Sequence, residues 1–415
     1  MLDLILREAR IAGRDAPVDI GILDGRIAEI APGLPQGAAE RRVHGRFVCT
    51  GFVDAHIHLD KAAILGRCPI CEGTLKEAVS LTAKAKAEFT REDVYQRAET
   101  VLRQAIVNGT MAMRSFVETD PRVQLTSFDA LVQLKRDYAH AIDLDLCAFA
   151  QEGLTQEMAT RDLLIAALEG GATSVGGCPY TDDDPARHIE LVLDLAERFA
   201  VPADFHIDFD LDPEGSDLPT LIAAVKARGL QGRVSIGHVS KLSAMAPERF
   251  DELASELAEA DIGLVVLPAT DLYLMGRDAD RLNPRGMARA DRLARAGVRT
   301  AVATNNVLNP FTPFGDASLI RMANLFANIA QIGTEEEIAE SFAMVSESAA
   351  SVIGLDRPST PAVGAPADLV ILDAASATDA VRRIAQPIAG WKAGRQTFER
   401  PLPQLFGSEM GGEAL

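Results

Sequence analysis

The chain has seven histidines, and four of them stand where metal chemistry would need them. His56 and His58 are two apart in Gly51-Phe52-Val53-Asp54-Ala55-His56-Ile57-His58-Leu59-Asp60, at the end of an apolar run. On a strand, residues two apart share a face, so both imidazoles would point the same way. His206 lies in the run Ala203–Asp208, and His238 in Ser235-Ile236-Gly237-His238-Val239-Ser240. Imidazole is the commonest protein ligand for zinc-type divalent ions, and three protein ligands plus an open position describe a catalytic site. One strand-end histidine is ordinarily a hydrogen-bonded side chain; four converging on one rim point to a bound metal. His44, His140 and His188 fall in helices or connections, where solvation is expected.

The elements that must position these residues follow from periodicity. Between 51 and 360, short apolar runs alternate with stretches of helical period, the signature of βα units. Eight runs qualify: Phe52–His58, Met111–Val117, Leu144–Ala150, Ala172–Gly177, Ala203–Asp208, Val234–Val239, Ile262–Pro268 and Thr300–Thr304. Glu92–Asn108, His188–Phe199 and Pro247–Ala260 read as helices between them. Eight such units favour an α/β fold of the closed (β/α)8, TIM-barrel type, which places chemistry at the C-terminal ends of its strands. The two ends of the chain read differently. Asp3–Glu8, Val18–Leu23 and Arg26–Ile30 alternate as strands, with Asp24-Gly25 as a hairpin turn. Ala367–Asp373 and Gly390–Arg395 repeat that pattern. Residues 1–50 plus 361–405 are therefore expected to form a small β-sandwich domain, and 51–360 the barrel.

Composition narrows the function. With 41 basic and 60 acidic residues the net charge is −19, which repels phosphate backbones and anionic lipid, so nucleic acid and membrane surfaces are not expected partners. No stretch approaches the roughly 20 apolar residues of a membrane span. The alternating, acid-bearing start Met1–Glu8 reads as a strand, not a signal peptide. Five cysteines in 415 residues suit a reducing cytoplasm. Cys68-Pro69-Ile70-Cys71 has metal spacing but no second pair to complete a site, and reads as loop. Asp182-Asp183-Asp184-Pro185 reads as a helix cap rather than a calcium site. No glycine-rich motif marks a nucleotide cofactor. Self-association fits a barrel of this kind, although the sequence carries no interface signal.

The segment Gly51–Lys61 with the later strand-end histidines resembles the metal-dependent amidohydrolase superfamily. Within it the chain is similar to the branch of cytosine deaminase and N-isopropylammelide amidohydrolase. Ala148–Gly153, Ser174–Gly177, Leu272–Arg277, Pro313–Gly315 and Gly364–Val370 carry the likeness through most of the chain. The resemblance implies one divalent metal, zinc or iron, held by His56, His58 and His206, with Asn305 at the position of a further ligand. It implies that His238 meets the attacking water or the developing oxyanion. Lys61, Gln151, Arg277 and Asn306 would grip a flat heterocyclic substrate, whose C–N bond is hydrolysed.

Two departures stand out. Asn305, in Ala303-Thr304-Asn305-Asn306, replaces the family's metal-binding aspartate, and an amide is no base near neutral pH. Phe209 stands where cytosine deaminase has a glutamate, three residues after the fifth-strand histidine. Strand parity offers Asp208 as the substitute: two residues after His206, it should face inward and carry the proton. Orienting a ligating imidazole is the alternative for Asp208. Glu118, after the second strand, is the other inward acid. The rival functional reading is a catalytically altered or non-catalytic barrel that binds a ligand without turning it over.

Overall fold

The computed structural model describes residues 1–401 and 403–405. Eight parallel strands run in chain order around a barrel: Phe52–Ile57, Thr110–Glu118, Asp143–Ala150, Ser174–Gly177, Ala203–Ile207, Val234–His238, Gly263–Val266 and Thr300–Val302. Each overlaps one of the eight expected runs. The ring closes just beyond the eighth strand. Asn305 donates its N–H to the His56 carbonyl at 2.8 Å, and its carbonyl accepts from His58 N–H at 2.9 Å. The closing ladder thus threads between the two histidines of the first strand.

The helices form for ordinary reasons. In Arg91–Val107, Thr90 caps the start by accepting from Asp93 N–H at 3.2 Å. Val94, Ala98, Val101, Leu102 and Ala105 recur at helical spacing and are buried against the barrel. Full burial of each larger aliphatic side chain stabilises the fold by about 1.5–3 kcal/mol. Pro185 and Pro247 each open a helix, at the position where a missing N–H costs nothing.

Arg114 is a polar plug inside this apolar shell. From the second strand it reaches Asp145 at 2.7 Å, Asp204 at 3.1 Å and Ser235 Oγ at 3.3 Å. Burial pushes the Asp204 carboxyl up to about 6, against the pull of Arg114. The plug ties together the second, third, fifth and sixth strands.

The chain ends supply two four-stranded sheets. One orders Arg26–Ala31, Val18–Leu23, Leu4–Ala9 and Ala39–Arg42; the other orders Arg395–Glu399, Pro387–Lys392, Leu369–Leu372 and Phe47–Thr50. Leu6, Ile20, Val48, Leu369, Ile371 and Trp391 share one core between them, which makes a sandwich. Asp24 and Gly25 both have positive φ, 49° and 74°, as a two-residue type I′ hairpin turn requires.

Candidate active site

The four strand-end imidazoles meet. Ring centroids lie 5.6 Å apart for His56 and His58, 4.5 Å for His56 and His206, and 5.2 Å for His58 and His206. One ligand nitrogen from each of His56, His58 and His206 lies within 4.8 Å of the others, and all three side chains are buried. Phe116 packs 4.1 Å from His56, and Phe149 packs 4.3 Å from His206. Gly237 makes room for this cluster, because a Cβ there would sit 2.7 Å from His56 Cε1.

The donors themselves argue for a cation. Both ring nitrogens of His56, Nδ1 of His58, Nε2 of His206 and the amide oxygen of Asn305 are buried without a hydrogen-bond partner. Buried polar atoms are rarely left so, and these five fall on four neighbouring residues. Burial first, then neighbouring positive groups, pushes the three imidazoles well below their usual range. Neutral imidazoles are the form that binds a metal.

A small cavity opens beside these histidines. His58, His206, His238, Lys61, Gln151, Asn305 and Asn306 line it, with Tyr180, Phe209, Thr270 and Phe311. His238 is 5.3 Å from His206 between centroids, and its Nδ1 lies 2.7 Å from Asp271 Oδ1. A carboxylate only accepts, so Nδ1 carries the proton of this hydrogen bond and Nε2 is the ring nitrogen it leaves uncommitted. Burial raises the Asp271 carboxyl and His238 opposes that rise. Lys61 Nζ donates to Glu118 Oε1 at 2.7 Å and to Gln151 Oε1 at 3.2 Å, and lies 4.4 Å over the Phe311 ring. Asn306 Oδ1 accepts from Asn309 Nδ2 at 2.7 Å.

Several expectations need correction. The fifth strand stops at Ile207, and Asp208 takes a left-handed φ of 52°, so strand parity no longer applies to it. Its carboxylate accepts from Ser216 Oγ at 2.5 Å and Asp217 N–H at 3.0 Å, outside the cavity lining. Phe209 turns inward instead, with its ring 3.7 Å from that of His238. Glu118 is also withdrawn: burial pushes it up, but Lys61 and Lys86 reverse this and hold it near about 2. Arg277 lies outside the lining, stacked 4.5 Å over Tyr273 and donating to the Glu72 carbonyl at 3.4 Å. His188 is fully buried rather than solvated, with Nδ1 bonded to Asp182. The helix cap expected nearby is Asp184, which accepts from Arg187 N–H at 3.0 Å. Asp271 went unread because it follows its partner by 33 positions, on the short helix after the seventh strand.

A model described as the amidohydrolase family matches residues 154–398, more than half of the chain. The chain belongs to the amidohydrolase family. This amidohydrolase is 28% identical to pterin deaminase of Rhizobium rhizogenes over 361 residues, 86% of this chain and 82% of that protein. It is 25% identical over 403 residues to N-isopropylammelide isopropyl amidohydrolase of Pseudomonas sp. (strain ADP), covering 95% of this chain and 96% of that one. Its fold superposes on the crystal structure of 5-methylcytosine deaminase from Klebsiella pneumoniae, liganded with 5-fluorocytosine. There the TM-score is 0.91 at 28% identity, over 97% of this chain and 99% of that one. Amidohydrolases of this family depend on metal, and the unpartnered nitrogens of His56, His58 and His206 lie close enough together that they could hold one. No helix among the described residues is long and apolar enough to cross a membrane.

Proposed function

We propose that this amidohydrolase hydrolyses a C–N bond of a small, flat heterocycle with one divalent ion, zinc in preference to iron. The observation that carries the reading is the set of three buried imidazoles with unpartnered nitrogens, His56, His58 and His206, of which His58 and His206 line one cavity. His56, His58 and His206 hold the ion in this reading, and the Asn305 amide oxygen is a further donor. An ion held there would supply positive charge, which lowers the pKa of water toward about 7 and stabilises negative charge developing on the substrate. Imidazole donors suit zinc, whose open coordination position suits catalysis. The barrel spanning 51–360 carries this chemistry, and the flanks 1–50 and 361–405 are a separate small unit.

The chain's own residues do the rest. His238 takes a proton at Nε2 and returns it to the leaving amine, while Asp271 holds its ring in the required tautomer. Lys61 and Gln151 bind the polar edge of the ring, and Asn306 lines the same cavity. Phe209 and Phe311 line the cavity with aromatic faces and exclude bulk water. The relatives are named for a pterin, N-isopropylammelide and 5-methylcytosine, so the class of substrate is an amino- or alkylamino-substituted ring.

The test is release of ammonia or alkylamine from a pyrimidine, triazine, purine and pterin panel by zinc-loaded protein. Turnover of one ring type supports the reading; no release across the panel counts against it. A second reading has a specific observation behind it: among the described residues, no carboxylate lines the cavity. A ligand-binding barrel without turnover would be built this way. Asn305→Asp separates the two. Loss of an existing activity places the asparagine in a working mechanism, whereas activity gained from an inert parent favours the binding protein.

A further inference from the structure

We propose that Lys86, which lies outside the cavity, is a positioning residue that sets Lys61 and Gln151 to present N–H donors to an acceptor edge of the substrate. The inference rests on the hydrolase reading above, and it deepens it by fixing the polarity of one cavity wall.

Lys86 ends the helix Leu75–Lys86, whose Leu75, Ala78 and Val79 pack with Phe209 and Phe311 over the barrel mouth. A lysine in the last helical turn is ordinarily exposed, yet this one is 2% exposed. Its ammonium reaches Glu118 Oε2 at 2.7 Å and also contacts Asp120 and Glu152. The three hydrogens of an ammonium match these three acids. Arg122 holds the outer side of Glu152 at 2.7 Å.

Glu118 divides its two oxygens between two lysines. Oε2 serves Lys86 and Oε1 serves Lys61, each at 2.7 Å. Its backbone N–H donates to Asp60 Oδ2 at 2.9 Å, and the other Asp60 oxygen accepts from Lys61 N–H at 2.8 Å. The carboxylate therefore has little freedom to rotate. Lys61 in turn donates to Gln151 Oε1, which turns Gln151 Nε2 toward Cys178 Sγ at 3.2 Å. An amide whose oxygen is held by an ammonium cannot flip without facing donor to donor. A chain of contacts from the capping helix thus determines which atoms the cavity offers.

Removal of Lys86 would leave Glu118, Asp120 and Glu152 buried together without their shared counter-ion. Lys61 is the other ammonium on Glu118, so it would be drawn toward the acids and away from Gln151. The amide would then be free to turn, and the donor edge would be lost without any change at the metal histidines.

The experiment is a double-mutant cycle on the best substrate of the panel, using full-length metal-loaded protein. Lys86→Met is expected to raise KM about tenfold or more while kcat changes less than about threefold, with metal content unchanged. In a Lys61→Met background the same change should shift KM by less than about twofold, because the residue it acts through is gone. An unchanged KM, or an equal factor in both backgrounds, would overturn the proposal. Should Lys86→Met fail to fold, Glu118→Gln is read in its place, with the same rise in KM expected and an unchanged KM decisive against it. Should the natural protein turn over nothing, the hydrolase reading falls, and the crystal structure of whichever variant folds decides the positioning role. Loss of the Lys61–Gln151 contact supports that role, and a contact kept near 3.2 Å refutes it.

Discussion

Asp271→Asn is the sharpest test of how protons move in this site. Asp271 is fully buried and offers two oxygens to two N–H groups, His238 Nδ1 at 2.7 Å and the Leu267 backbone at 3.2 Å. The isosteric amide has one oxygen, so one of these donors must meet an NH2 group. The Leu267 N–H cannot change, whereas imidazole can move its proton to Nε2. The amide oxygen should therefore turn to Leu267, and His238 should lose the lone pair that faces the cavity. A hydrogen bond to a charged group contributes about 1.5–3 kcal/mol net. At about 1.36 kcal/mol per decade, kcat/KM should fall about 10- to 150-fold. The assay is steady-state product release from the best panel substrate, alongside metal analysis. A variant with full metal content and kcat/KM within about threefold of the parent would show that His238 does not work through Asp271.

His206→Ala should abolish metal uptake, measured on purified protein by elemental analysis; equal metal in the variant would remove His206 from the ligand set. Gly237→Ala should also empty the site while the fold survives, because its new Cβ falls 2.7 Å and 2.9 Å from His56 Cε1 and Nδ1; retained metal would mean that the ring has space to retreat. Arg114→Met should destabilise the barrel by about 3–5 kcal/mol in urea unfolding, since it strands Asp204 inside and unpairs the half-buried Asp145, and a loss below about 1 kcal/mol would contradict that account.

The barrel was legible because its signal is local. An apolar run followed by helical period identifies each βα unit, and each of the eight runs overlaps the strand found there. The meeting of the strand-end histidines was legible for a related reason: His56 and His58 fall at a run's end, where parity gives their shared face. Asp208 shows where that logic stops. Parity holds only while the chain stays extended, and three rim residues, Asp208, His238 and Asn305, have φ of 52°, 71° and 60°. Such left-handed non-glycine conformations cost of order 1–3 kcal/mol each and leave no composition signal. His188 fails differently. It is buried because Gly177 opposite it has no Cβ, which would otherwise lie 2.1 Å from its Nε2. Lys86 reads as one more basic residue at a helix end, and only the fold brings three acids around it.

The negative charge of this site has been moved one contact outward. No carboxylate lines the cavity among the described residues, yet Asp271 stands behind His238 and Glu118 stands behind Lys61. Neutral imidazoles and an amide would leave a bound divalent ion with its full charge, which strengthens its effect on a coordinated water. That gain comes with a constraint on proton traffic. Burial raises the Tyr180 phenol well above its usual range, so it is no base. Amides and threonine do not exchange protons near neutral pH, and a bound ion would engage the lone pairs of His56, His58 and His206. Lys61 is engaged as a donor to two acceptors. Among the described residues lining this cavity, that leaves the Nε2 of His238, whose Nδ1 is held by Asp271, as the atom through which turnover is expected to pass its proton.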